Sequence, residues 1–272
     1  MFRVVLATLL SATVLLPVAN AKQVTISGST SVSRIMEVIA DEFNATHDSS
    51  YIAVQGIGST AGITLVDKGV SEIGMSSRYL NEGEYSEQLT VLTIAYDGLG
   101  VVVNHANKVE DISRKQLFDI YKGNITNWKQ LGGDDLPIAV VTRELSSGSR
   151  SSFESLLGLT RVINKHQVSD INPTNLVVSS NSMVKTIVNH NPQAIGFISD
   201  GSVDNTVKEL MFEGITASQE NIRDKKYQLS RPFIIFYKTD TISKDGKEFI
   251  QFLKSERANE LILQYGYIPA KN

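Results

Sequence analysis

Short apolar runs alternate with helix-period stretches along almost the whole chain, and this alternation limits the possible folds more than any other feature. Strands are predicted at QVTIS (23–27), YIAVQG (51–56), EIGMS (72–76), VLTIA (91–95), GLGVVVN (98–104), PIAVVT (137–142), NLVVS (175–179), AIGFIS (194–199), VKELMF (207–212) and PFIIFY (232–237). Between them, Val32, Ile35, Met36, Ile39 and Phe43 recur at helical spacing, as do Ile63 and Val66 before Gly69. Leu117, Ile120 and Tyr121 lie between a Ser113 cap and a Gly123 stop, and Met183, Val184, Ile187 and Val188 precede Pro192. A single closing helix is expected from about Ser243, carrying Phe249, Phe252, Leu253, Leu261 and Ile262. Apolar strands interleaved with amphipathic helices define an α/β fold with mostly parallel sheets.

The N-terminus reads differently. Arg3, the apolar run Val4 to Val18 and the small-residue site Ala19-Asn20-Ala21 form a cleavable secretory signal peptide at 1–21, too short to span a bilayer. The mature chain is therefore expected outside the cytoplasmic membrane. It contains no cysteine, so an exported chain must here rest on its hydrophobic core. The 26 basic and 29 acidic side chains give a net charge of −3, which becomes −4 once Arg3 leaves with the leader. That balance argues against nucleic acid as a partner, and any anion must find a local positive site.

Three strand-to-helix turns share one chemistry: SGSTSVSRI (27–35), GIGSTAGI (56–63) and RELSSGSRSSF (143–153). Each combines glycine with serine or threonine and opens a helix. Helix N-termini present unpaired N–H groups and a partial positive charge, and open α/β sheets bind ligands at the carboxyl ends of their strands. One cap per helix needs one hydroxyl, whereas the third turn holds Ser146, Ser147, Ser149, Ser151 and Ser152 beside Arg143 and Arg150. Convergence of the three turns on one small anion accounts for this excess. Catalysis finds no support: no G-x-S-x-G elbow occurs, and His47, His105, His166 and His190 stand in polar contexts. Metal-ligand spacings are also absent from the sequence.

The segments VTISGSTSVSRIMEVIADEF, VQGIGSTAGI, EIGMSSR, YDGLGVVVN, LFDIYKGNITNWKQLGG, VVTRELSSGSRSSFESLLGL, AIGFIS and YQLSRPFIIFY follow one another in order. Together they resemble the Pst-type phosphate-binding proteins of bacterial ABC importers, over nearly the whole mature chain. The resemblance implies a two-lobed periplasmic-binding-protein-like fold (type II) with a two-strand hinge at 95–104 and 227–237. The first lobe would comprise 22–97 plus 232–272 and the second 98–231. It implies a periplasmic, monomeric receptor that takes inorganic phosphate to membrane permease subunits and needs no metal or cofactor. The phosphate contacts it carries over fall on Thr30, Ser31, Ser59 and Ser77 of the first lobe and on Arg143, Ser147, Gly148 and Ser149 of the second. Arg143 is expected to fork onto the anion.

At Ser77 the chain departs from the best-known members, which place a carboxylate there to accept the proton of phosphate. Rejection of sulfate is therefore in question, and a related oxyanion receptor for sulfate or molybdate, or a phosphate-binding adhesin or sensor module, stays open. Asp97 is either a hinge hydrogen-bonder, the favoured role, or a substitute proton acceptor. Trp128 is expected to pack beneath the second lobe. Arg78 and Arg150 are either steering charges at the rim or solvated surface residues.

Overall fold

A computed structural model describes residues 22–47, 50–164 and 166–270; the leader expected at 1–21 lies outside them. The first third of the chain runs β1 (Lys22–Gly28), α1 (Thr30–Asn44), β2 (Ser50–Gly56), α2 (Ser59–Asp67) and β3 (Ile73–Ser76). β1 pairs in parallel with both β2 and β3, so the helices cross over the faces of one sheet. β4 (Leu89–Val103) then leaves this sheet and enters a second one.

The chain continues through β5 (Asp111–Ile112), α3 (Arg114–Lys122), β6 (Ala139–Arg143), α4 (Gly148–Leu157), β7 (Thr160–Ile163) and β8 (His166–Ser169), which pair only with each other, β9 (Leu176–Val178), α5 (Asn181–His190), β10 (Ala194–Ser199), β11 (Lys208–Phe212) and α6 (Gln219–Arg223). β12 (Ser230–Lys238) returns to the first sheet, followed by α7 (Lys244–Leu253), α8 (Glu256–Gln264) and β13 (Ile268–Pro269).

β4 is the spine. Its first part pairs antiparallel with β12, from Leu89 opposite Lys238 to Gly98 opposite Ser230. Its last residues pair antiparallel with β10 and β11. The two apolar runs predicted separately at 91–95 and 98–104 are thus one strand through both lobes. This corrects the expectation of mostly parallel sheets. The outer pairs β1–β2, β1–β3, β6–β10 and β6–β9 are parallel, but both strands that cross between lobes run antiparallel to their neighbours. A chain that crosses to a second lobe and returns must run back against itself, which periodicity cannot reveal.

Side-chain alternation assigns the layers. Val101 and Val103 join one core with Leu117, Ile120, Trp128, Phe153 and Phe197, while Val102 points to the opposite face with Val141, Val184 and Val188. On β12, Phe233 and Ile235 pack with Ile26, Ile35, Phe43 and Phe249, while Ile234 and Phe236 face Val66 and Leu80. Each lobe is therefore a sheet covered on both faces, and each buried side chain of this size contributes roughly 1.5–3 kcal/mol. Trp128 packs as expected and donates its indole N–H to the Gln193 carbonyl at 2.9 Å. The closing helix is two helices, because Ser255 accepts from the Ala258 N–H and starts α8 after α7 ends at Leu253.

Candidate functional site

The three hydroxyl-rich turns meet where the lobes face each other. β1 delivers Ser29 to the mouth of α1, where its hydroxyl oxygen accepts from the N–H groups of Ser31 and Val32. With both acceptor directions occupied, the Ser29 proton goes to Ser77 Oγ at 2.9 Å. Ser77, just past β3, sends its own N–H to Ser59 Oγ at 3.2 Å, at the mouth of α2. From the other lobe, β6 presents Arg143 and α4 begins at Gly148. Ser31, Ser59, Ser77, Arg143 and Ser149 are all buried.

Contacts between the lobes are direct. Ser31 Oγ lies 3.0 Å from Ser149 Oγ, Arg143 Nη2 donates to Thr30 Oγ1 at 3.1 Å, and Ser152 Oγ donates to the Ser77 carbonyl at 3.0 Å. Gly148 comes so close to the first lobe that a Cβ on it would sit 2.2 Å from Ser59 Oγ and 2.6 Å from Ser77 Oγ. Only glycine permits this approach. Ser147 behaves otherwise: its hydroxyl accepts from the Arg150 N–H at 3.2 Å and serves as the cap of α4.

Arg143 differs from expectation in what its fork holds. Nε and Nη2 grip the two carboxylate oxygens of Glu144 at 2.9 and 3.0 Å, so the bidentate edge is committed to a neighbouring carboxylate. Nη1 donates to Asn181 Oδ1 at 3.2 Å, and the Asn181 amide donates in turn to Ser31 Oγ at 3.1 Å. A second buried guanidinium, Arg231, also pairs with a carboxylate, that of Asp97. Two cations balanced by two carboxylates leave hydroxyls, amides and helix N-termini as the groups that would meet an anion. Such donors suit a small tetrahedral oxyanion, whose oxygens accept hydrogen bonds from several directions.

Asp97 takes the hinge role. It lies opposite Arg231 in the β4–β12 ladder and accepts from Arg231 and from the Ser199 hydroxyl. Burial pushes its carboxyl up, by more than Arg231, Ser199 and the Gly201 N–H pull it down. Arg78 and Arg150 are neither rim charges nor solvated. Arg78 grips both oxygens of Glu84 at 2.6 and 2.8 Å, and Arg150 pairs with Glu154 at 2.7 Å while donating to the Arg143 carbonyl at 2.8 Å. Desolvation explains both pairings: a buried guanidinium needs a carboxylate beside it.

Sequence reading missed Ser29, Glu144, Asn181 and Arg231, while Ser152 entered it only as one of the five serines of the third turn. Asn181 had a signal, since VVSSNSM is a fourth strand-to-helix turn that lacks only the glycine of the others. Arg231 had one too, as a lone cation opening the apolar run PFIIFY. Among the described residues no three metal-ligating side chains cluster.

Two α/β lobes on a shared two-strand hinge, with polar helix mouths turned toward each other, define the class of hinged solute-binding proteins. The family model described as PBP superfamily domain matches residues 17–257. Over 256 residues the chain is 30% identical to the phosphate-binding protein PstS of Borreliella burgdorferi, covering 93% of this chain and 91% of that one. A solved ABC-type phosphate transport receptor from Vibrio cholerae is 58% identical over 92% of this chain and all of its own, with a TM-score of 0.78. A substrate-binding protein of an ABC transporter from Clostridium perfringens, solved with bound phosphate, is 38% identical over the same shares with a TM-score of 0.86. The chain belongs to the Pst-type phosphate-binding family of the periplasmic-binding-protein superfamily.

Proposed function

We propose that this protein is an extracytoplasmic receptor, not an enzyme, that closes its two lobes on inorganic phosphate and passes it to the permease of an ABC importer. The observation that carries this reading is the meeting of Thr30, Ser31, Ser59 and Ser77 with Arg143, Gly148 and Ser149 across the lobe boundary, with Ser147 capping the helix that presents them. A ligand gripped from both sides adds to these contacts and favours closure, because its binding energy depends on the closed arrangement.

The lobes are taken as 22–97 plus 232–272 and 98–231. In support, the core containing Ala95 and Phe233 is separate from the core containing Leu99 and Leu229. Cleavage of the leader expected at 1–21 would deliver the mature chain to the periplasm, and we take it to act there as a monomer. Among the described residues no helix is long and apolar enough to cross a membrane. Micromolar affinity requires about 8 kcal/mol, and charge-assisted hydrogen bonds of about 1.5–3 kcal/mol each reach that with a handful of contacts.

Calorimetric titration of the purified mature protein with phosphate, arsenate, sulfate and molybdate tests the reading. Phosphate is expected to bind one to one and more tightly than sulfate. Tight binding of sulfate or molybdate without a response to phosphate would reassign the ligand.

A further inference from the structure

Arg231 is a cation in a place where a cation is costly. It stands on the hinge strand β12 opposite Asp97, only 3% exposed, with Asp97 1% exposed. Replacing a buried ion pair with packed apolar side chains is commonly neutral or stabilising, so packing alone does not require the pair here. Its hydrogen bonds suggest another purpose. Nε and Nη2 both donate to Asp97 Oδ2, at 3.0 and 2.8 Å, while Ser199 holds the other carboxylate oxygen at 3.0 Å. That clamp fixes the guanidinium plane. The nitrogen left over, Nη1, donates to Ser149 Oγ at 2.7 Å, a shorter contact than those made to Ser31 or Thr30 in the same site.

A hydroxyl that accepts from a cation must direct its own proton elsewhere. For Ser149 the neighbour is Ser31 Oγ at 3.0 Å, and Ser31 already accepts from the Asn181 amide at 3.1 Å. Both oxygens thus have a lone pair engaged by a fixed donor; one of their two protons closes the contact between them, and an oxyanion entering between the lobes can draw both protons to itself. We infer that Arg231 is a positioning residue for the bound anion: it acts through the Ser149 hydroxyl, turning that hydroxyl into an obligatory donor, and Asp97 serves to aim it. Because Arg231 rides on a strand of the hinge and Ser149 on α4, the same contact ties the hinge to the ligand-facing end of the second lobe. The inference rests on the phosphate reading above.

The test is a double-mutant cycle in phosphate affinity. Wild type, Arg231→Gln, Ser149→Ala and the double variant are titrated by calorimetry, with thermal melts of each ligand-free protein. Arg231→Gln should weaken phosphate about ten-fold or more in the Ser149 background and less than about three-fold in the Ser149→Ala background. A general structural role would lower the melting temperature in both backgrounds and cost the same affinity in both. If Arg231→Gln does not fold because Asp97 is orphaned, Asp97→Asn with Arg231→Met removes both charges and enters the cycle in its place. Equal losses in the two backgrounds, or no loss in either, overturn the inference and leave the phosphate reading standing. A wild-type protein that ignores phosphate overturns both.

Discussion

Gly148→Ala should separate closure from stability. Gly148 is the first residue of α4 and is absent from the positive-φ glycines, so an alanine fits its backbone. In the ligand-free, opened protein the substitution should be neutral or stabilising by up to about 1 kcal/mol, since alanine lowers the entropy of the unfolded chain and favours the helix. In the closed form the new methyl would lie 2.2 Å from Ser59 Oγ and 2.6 Å from Ser77 Oγ, where ordinary contact begins at 3.4 Å. Both neighbours are held: Ser59 by the Ser77 N–H and Ser77 by Ser29. The lobes must then stay apart by more than an ångström, which stretches the Ser31–Ser149, Arg143–Thr30 and Ser152–Ser77 contacts beyond hydrogen-bond range. Losing these at roughly 0.5–1.5 kcal/mol each, with part of the ligand's shell, amounts to about 3 kcal/mol or more, over 100-fold in affinity. Calorimetry measures that loss, and small-angle scattering in excess phosphate reports whether the protein still compacts. An affinity within about three-fold of wild type, with full compaction, would refute the reasoning.

Arg143→Ala should weaken phosphate by about 2–3 kcal/mol, roughly 30- to 150-fold by calorimetry, because Thr30 and Asn181 lose their donor and Glu144 is left facing the site unneutralised. Lysine at the same position should restore only part of this, since one ammonium cannot hold Glu144 and Asn181 together. Ser77→Asp should widen the phosphate-to-sulfate affinity ratio about ten-fold or more in a competition titration, as a carboxylate accepts the phosphate proton and repels sulfate. Stability should fall as pH rises, through a carboxyl pair behind the hinge. Burial pushes Asp200 up to about 8, helped by the charges of Glu209 and Asp97, and pushes Glu209 up to about 7. The folded protein holds these protons more tightly than the unfolded chain, so their contribution is complete below about pH 4 and lost as pH climbs through 7 to 8. Glu209→Gln should therefore flatten the decline and melt at least about 2 °C higher than wild type at pH 9; parallel melting curves from pH 5 to 9 would count against it.

What the sequence by itself determined is what depends on near neighbours. Val32, Ile35, Met36, Ile39 and Phe43 place α1 and its buried face, because a helix repeats every few residues. Ser113 marks the start of α3 for the same local reason, and the three glycine-and-hydroxyl turns pointed to the mouths of α1, α2 and α4 as one anion site. The motif resemblance carried this further, to individual contacts such as Thr30, Ser31, Ser59 and Gly148 and to two lobes on a hinge. Only the tertiary structure decided what each charge holds. Whether Arg143 grips the anion or Glu144, whether Arg78 steers or pairs with Glu84, and whether Asp97 meets a ligand or Arg231 are questions about distances across the fold. Asp97 and Arg231 stand 134 residues apart in the chain and become neighbours only through the register of β4 against β12. That register is set by how two lobes pack their opposite faces, a sum over many buried side chains, so no short stretch of sequence contains it.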